Sequence, residues 1–193
     1  DLFPLEEVYF KNSALMYSEE GMMATRRIDI NASIGCSLIC RFCYHLGIAG
    51  DMKYQKDSKG NVVNVAFDKP GNYTRNIRYN TPEYIVKLAK HLYDKQKINF
   101  LYFLDENMMT MDASSGRTWI KELSALWIQK GLQPSCIRDS VEHDNNCTGV
   151  HFGGTSHATL ATKDTLDAMY AAGCSYLIYG IESFDPKILK NLG

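Results

Sequence analysis

Residues 26–33 alternate apolar and polar positions, with Ile28 and Ile30 set against Asp29 and Asn31, and this period of two predicts a strand. After it the pattern loses regularity. Residues 48–80 are polar and spotted with glycine, and Asp57-Ser58-Lys59-Gly60 is a turn signal between two short strand-like runs, 52–54 and 62–67, which predicts a small hairpin. From Thr81-Pro82-Glu83 onward the period lengthens: a cap and a first-turn proline precede Ile85, Leu88, Ala89 and Leu92 at helical spacing. An aromatic-rich apolar run, 98–104, is of strand length and ends in Asp105-Glu106-Asn107. A second helix is expected over 115–130, with Trp119, Leu123, Leu126 and Trp127 as its apolar stripe and Gly131 as its stop.

Residues 132–148 are polar and predict a long loop. A third strand-like segment covers 149–152 and continues towards His157. Thr162 then caps a helix carrying Leu166, Met169 and Tyr170, closed by Gly173. A fourth strand, 175–179, ends in Gly180-Ile181-Glu182-Ser183, and Asp185-Pro186 opens a last helix. The order strand, helix, repeated four times, implies parallel strands joined by right-handed crossovers, hence an α/β fold. In parallel barrels the working groups sit at the C-terminal ends of the strands. The suggestive polar groups fall there: a cysteine loop after the first strand, Asp105-Glu106-Asn107 after the second, Glu182-Ser183 after the fourth.

Composition narrows the class without naming a chemistry. The 193 residues suffice for one domain with a sizeable core, and 45% apolar with 22% charged residues is ordinary for a globular protein. A net charge of −1 gives no electrostatic case for nucleic acid or an anionic membrane, and no run spans a bilayer or reads as a signal peptide. Of six cysteines, Cys36, Cys40 and Cys43 are bunched, while Cys136, Cys147 and Cys174 are scattered and read as small buried residues rather than ligands. That is a poor disulfide framework and favours a reduced, cytoplasmic setting. Starting at Asp1 and ending just after a helix begins, the chain reads as a piece of a longer protein.

Three thiols on one short loop, Gly35-Cys36-Ser37-Leu38-Ile39-Cys40-Arg41-Phe42-Cys43-Tyr44-His45, can hold three corners of an iron–sulfur cube and leave the fourth iron open. A structural zinc with His45 as fourth ligand is the competing reading, although such sites usually take two short-spaced pairs. Arg75, Arg78 and Arg138 suit a carboxylate or phosphate, and equally a solvated surface. His151 and His157 are placed to enter a barrel mouth, or to serve as ordinary core and surface histidines.

The C-x3-C-x2-C loop after a first strand, with Phe42 before the last cysteine, resembles the signature of the radical S-adenosylmethionine enzymes. The resemblance implies a partial (β/α) TIM-like barrel with about four parallel strands, residues 1–25 forming a lead-in and 26–193 the core domain, truncated at its C-terminus. It implies that Cys36, Cys40 and Cys43 bind a [4Fe–4S] cluster and that reductive cleavage of S-adenosylmethionine yields a 5′-deoxyadenosyl radical. Phe42, Asp105, Glu106, Asn107, Glu182 and Ser183 are then the expected cofactor-binding residues, with an acidic side chain at 105 or 106 for the cofactor's ammonium group. Many members carry Gly-Gly-Glu at that point. Leu104-Asp105-Glu106-Asn107 is instead similar to the Asp-Asp-Asn element of the subgroup with an N-terminal cobalamin-binding domain, and the lead-in is similar to that subgroup's linker. Cobalamin, carried by a domain outside this chain, and methyl transfer or ring formation are implied on that ground. The expected partners are a small-molecule substrate and an electron donor such as flavodoxin or ferredoxin. Two alternatives stand beside this: a radical enzyme without cobalamin that modifies RNA or a peptide, and a zinc-stabilised binding module.

Overall fold

The computed structural model describes residues 26–38, 40, 42–43, 52–60, 62–67, 77–142 and 146–192. The expected lead-in over 1–25, and Arg75 and His45, lie outside them. In chain order, β1 (Arg27–Ile30) leads into β2 (Ser33–Ile34), and the predicted hairpin is β3 (Met52–Lys56) and β4 (Val62–Phe67), paired antiparallel. β5 (Arg78–Tyr79) pairs antiparallel with β2. Alternation follows: α1 (Pro82–Gln96), β6 (Phe100–Phe103), α2 (Met109–Ser114), α3 (Trp119–Gln129), α4 (Ser135–Arg138), β7 (His151–Ser156), a 3₁₀ turn (Ala158–Leu160), α5 (Lys163–Ala172), β8 (Cys174–Tyr179) and α6 (Pro186–Leu192).

The strands β1, β6, β7 and β8 form one parallel sheet in that order, which is part of a (β/α) TIM-like barrel. One face carries Ile28, Ile30, Leu101, Phe103 and Phe152, all buried against the apolar stripes of α1, α3 and α5. Trp119 and Trp127 anchor α3 in this core, and each satisfies its indole N–H on a backbone carbonyl, Asn80 at 2.8 Å and Val150 at 3.0 Å. The opposite face is more polar and aromatic. There Arg27 stacks on Tyr102 at 4.3 Å and pairs with Asp29, Tyr102 bonds Thr155 at 3.1 Å, and the Tyr102 and Tyr176 rings lie 6.4 Å apart.

Local chemistry explains the helix boundaries. Thr81 accepts from the Tyr84 amide and Thr162 from the Thr165 amide, while Lys97 and Gly173 turn left-handed to close α1 and α5. The helix expected over 115–130 is corrected to start at Trp119, because Gly116 and Arg117 both take φ of 70° and reverse the chain there. α2, just before them, and the one-turn α4 inside the expected long loop were not anticipated. β7 runs on to Ser156 through two glycines, and Gly153 is needed: a Cβ would lie 2.4 Å from the Tyr176 carbonyl oxygen of β8. Among the described residues no helix is long and apolar enough to cross a membrane.

One buried carboxylate joins the helical layer. Asp112 is fully buried, accepts from the Ile120 amide at 3.2 Å and the Thr165 hydroxyl at 3.1 Å, and lies 3.6 Å from Arg117. It ties α2 to the start of α3 and to α5. Asp112→Ala strands those donors in a dry site and is expected to cost about 2–4 kcal/mol in urea unfolding. A loss below about 1 kcal/mol would show that solvent already reaches this group.

Candidate functional site

The C-terminal ends of β1, β6 and β7 converge on the start of the cysteine loop. Gly35, at φ 107°, turns the chain out of β2, and Cys36 follows, half-buried. The Asn107 carboxamide and the Thr110 hydroxyl each reach the Cys36 sulfur at 4.0 Å. Thr110 also meets the Ser37 hydroxyl at 3.3 Å. Asn107 is itself buried, and its Oδ1 accepts from the Met109 amide at 3.2 Å and the Ser156 hydroxyl at 3.3 Å. One carboxamide thus links β6, β7, the start of α2 and the first cysteine. Farther along, the Cys43 amide donates to the Cys40 carbonyl at 3.1 Å, which folds the second and third cysteines into one turn. All three thiols are reduced and half-buried, and Phe42 between them is 53% exposed.

The acidic pair lies beyond the end of β6, and its two side chains part. Asp105 points inward and is 1% exposed. Its carboxylate accepts from the Ala32 amide at 3.0 Å, the Ser33 amide at 2.5 Å and the Ser33 hydroxyl. Burial pushes its carboxyl above the ordinary range, although the Ser33 hydroxyl and the two amides pull the other way. Glu106 is exposed on the other side. Sequence reasoning missed Ser33, Thr110 and Ser156. For Ser33 and Ser156 the only signal was a hydroxyl residue at a strand end, and Thr110, inside α2, had none.

At the far edge of the sheet, Glu182 is exposed with a left-handed backbone, φ 62°, and the Ser183 hydroxyl accepts from the Asp185 amide at 3.0 Å at the head of α6. Two intervening strands separate β8 from β1, so these groups stand roughly 14 Å across the sheet from the first-strand side. Arg138 is exposed and engages Asp139 through two 2.9 Å bonds, and Arg78 is exposed on β5. His157 is half-buried beyond β7 and its Nδ1 accepts from the Thr159 amide. Of the two readings of His151, entry into the barrel mouth falls away. His151 is the first residue of β7, so it lies at the opposite end of the strands from Cys36.

A family model described as the Radical SAM superfamily matches residues 30–193. No curated protein matches the chain.

Asp105→Asn turns an amide NH₂ towards backbone donors and is expected to cost about 1–3 kcal/mol. Because folding raises the Asp105 pKa, its stabilising contribution is complete below the unfolded value of 3.8 and is lost as pH rises through the folded one. The advantage of the wild type over Asp105→Asn in urea unfolding should therefore shrink from acid to neutral pH. A gap that widens with pH would contradict the raised pKa.

Proposed function

We propose that this chain, which belongs to the Radical SAM superfamily, holds a [4Fe–4S] cluster on Cys36, Cys40 and Cys43 and directs it at S-adenosylmethionine. The observation that carries this reading is the fixing of Cys36 at the strand ends by Asn107 and Thr110, with two further reduced thiols on the turn that follows. A trio of soft donors at one end of a parallel sheet suits a cluster with an open iron. Such a cluster, when bound, supplies the electron that cleaves the cofactor's sulfonium to a 5′-deoxyadenosyl radical.

The chain's own residues take distinct parts in this reading. Asn107 and Thr110 orient the Cys36 sulfur by donating towards it. Glu106, exposed beside them, receives the cofactor's ammonium group, because Asp105 is committed to the Ala32 and Ser33 amides. Phe42 covers the loop, and Glu182 and Ser183 meet the other end of an extended cofactor lying across the strand ends. The polar and aromatic sheet face, with Tyr102, Thr155 and Tyr176, receives a small-molecule substrate. Cobalamin-linked methyl transfer or ring formation is the finer reading, resting on the Asp105-Glu106-Asn107 element, with flavodoxin or ferredoxin as the source of electrons. The apolar exposure of Tyr176 and Ile178 on β8 fits further strands closing the barrel.

Cys40→Ala is expected to abolish iron incorporation and the broad visible absorption of anaerobically reconstituted protein; full iron retention would overturn the ligand assignment. Glu106→Gln should weaken equilibrium binding of S-adenosylmethionine to the reconstituted protein by roughly 10–100-fold. Unchanged affinity there would reassign the ammonium group to another residue.

A further inference from the structure

A second constellation of metal-binding side chains lies at the opposite end of the sheet. Cys136 in α4, Cys147 and His151 at the start of β7 bring their ligand atoms within 4.8 Å of one another. The Cys136 and Cys147 sulfurs are 2.9 Å apart, and the His151 Nε2 lies 3.6 Å from the first and 4.0 Å from the second. A tetrahedral ion bound at ordinary zinc distances needs about 3.8 Å between sulfurs and about 3.6 Å between sulfur and nitrogen. The nitrogen is already at that range, and the sulfurs need to part by only about 0.9 Å to meet it. So close a set suits one ion, not a multinuclear cluster.

The surroundings are those of a built site. His151 Nδ1 lies 3.2 Å from the Gly173 carbonyl oxygen, an acceptor that only a protonated Nδ1 satisfies, and this tautomer leaves the Nε2 lone pair facing the two sulfurs. Cys147 accepts from the Cys136 amide at 3.4 Å and the Ser135 hydroxyl at 3.6 Å. Burial opposes ionisation of Cys147, yet these donors and the Cys136 thiol together hold its pKa below the ordinary thiol range. The ends of the intervening loop are pinned together, with the Ser135 amide donating to the Thr148 carbonyl at 2.8 Å and the Thr148 amide to the Ser135 hydroxyl at 3.0 Å. Gly149, at φ 98°, permits this closure, since a Cβ there would meet the Gln133 carbonyl oxygen at 2.7 Å.

We propose that Cys136, Cys147 and His151 bind a single zinc-class divalent ion, with water in the fourth position, and so clamp α4 to the base of β7. Two thiolates and an imidazole are the donor set that zinc takes, and the ion would displace the two thiol protons to solvent. The site is separate from the Cys36, Cys40 and Cys43 loop and does not depend on the cluster reading.

The test counts zinc and iron separately, by elemental analysis, in the whole chain reconstituted with iron and sulfide, then exposed to zinc and desalted, all without oxygen. One equivalent of zinc is expected in the wild type and in Cys40→Ala. Cys147→Ser and His151→Gln, both at half-buried positions, should each lower retained zinc by on the order of tenfold while keeping the iron of the wild type. A chelator should lower the wild-type Tm and leave that of Cys147→Ser unchanged, which reads the site without relying on how well a variant folds. Absence of zinc from the wild type, full zinc in Cys147→Ser, or a Cys136–Cys147 disulfide found by mass spectrometry in the anaerobic chain would each overturn the assignment.

Discussion

The carboxylate of Asp105 is the contact on which the upper end of the sheet depends. It leaves the end of β6 and takes the amides of Ala32 and Ser33, just where β1 gives way to the run that becomes the cysteine loop. Those amides sit at a break between strands, beyond the reach of the parallel ladder, and buried donors of that kind need an acceptor. An anion in a dry site is costly in itself, which is why its pKa rises despite three donors. The cost is offset by geometry: one residue sets the direction in which the chain leaves the sheet towards Cys36.

Asn107 continues the same device two residues later. A carboxamide can give and accept at once, so it accepts from Ser156 and Met109 while turning its amino group to the Cys36 sulfur. A carboxylate at that position could not donate to sulfur. The tripeptide 105–107 therefore contains three tasks: an inward anchor, an outward carboxylate and an inward amide. The turn that follows β6 sets their three directions.

Much of this was legible along the chain. The caps at Thr81 and Thr162 and the left-handed stop at Gly173 announced α1 and α5, and strand–helix alternation announced the parallel order. Adjacency implied that Asp105 and Glu106 face opposite ways, but only the partner amides of Ala32 and Ser33, more than seventy residues earlier, decide which one is buried. α2 was hidden because Met109–Ser114 has no side-chain cap and owes its position to burial of its methionines and Asp112. The Cys136, Cys147 and His151 grouping was hidden for a similar reason. Only Cys147 and His151 are near in sequence, and Cys136 joins them through loop closure at Ser135 and Thr148.

Cysteines gather at both ends of the sheet, and the two settings differ. Groups at the C-terminal ends of parallel strands face a region where loops are free to vary and a ligand can enter, so half-exposed thiols there remain available for chemistry. At the N-terminal ends the returns from helix to strand before β6 and β8 are short, and the longer one before β7 is drawn closed between Ser135 and Thr148, so that the next strand can register. Gly149 and Gly173 show how tight: each holds a left-handed backbone against the Gln133–Pro134 segment, where a Cβ would collide. A ligand set at that end is therefore held by the same contacts that start β7 and β8. In the proposed assignment its effect is on stability and strand register, at the end of the sheet opposite the Cys36 loop.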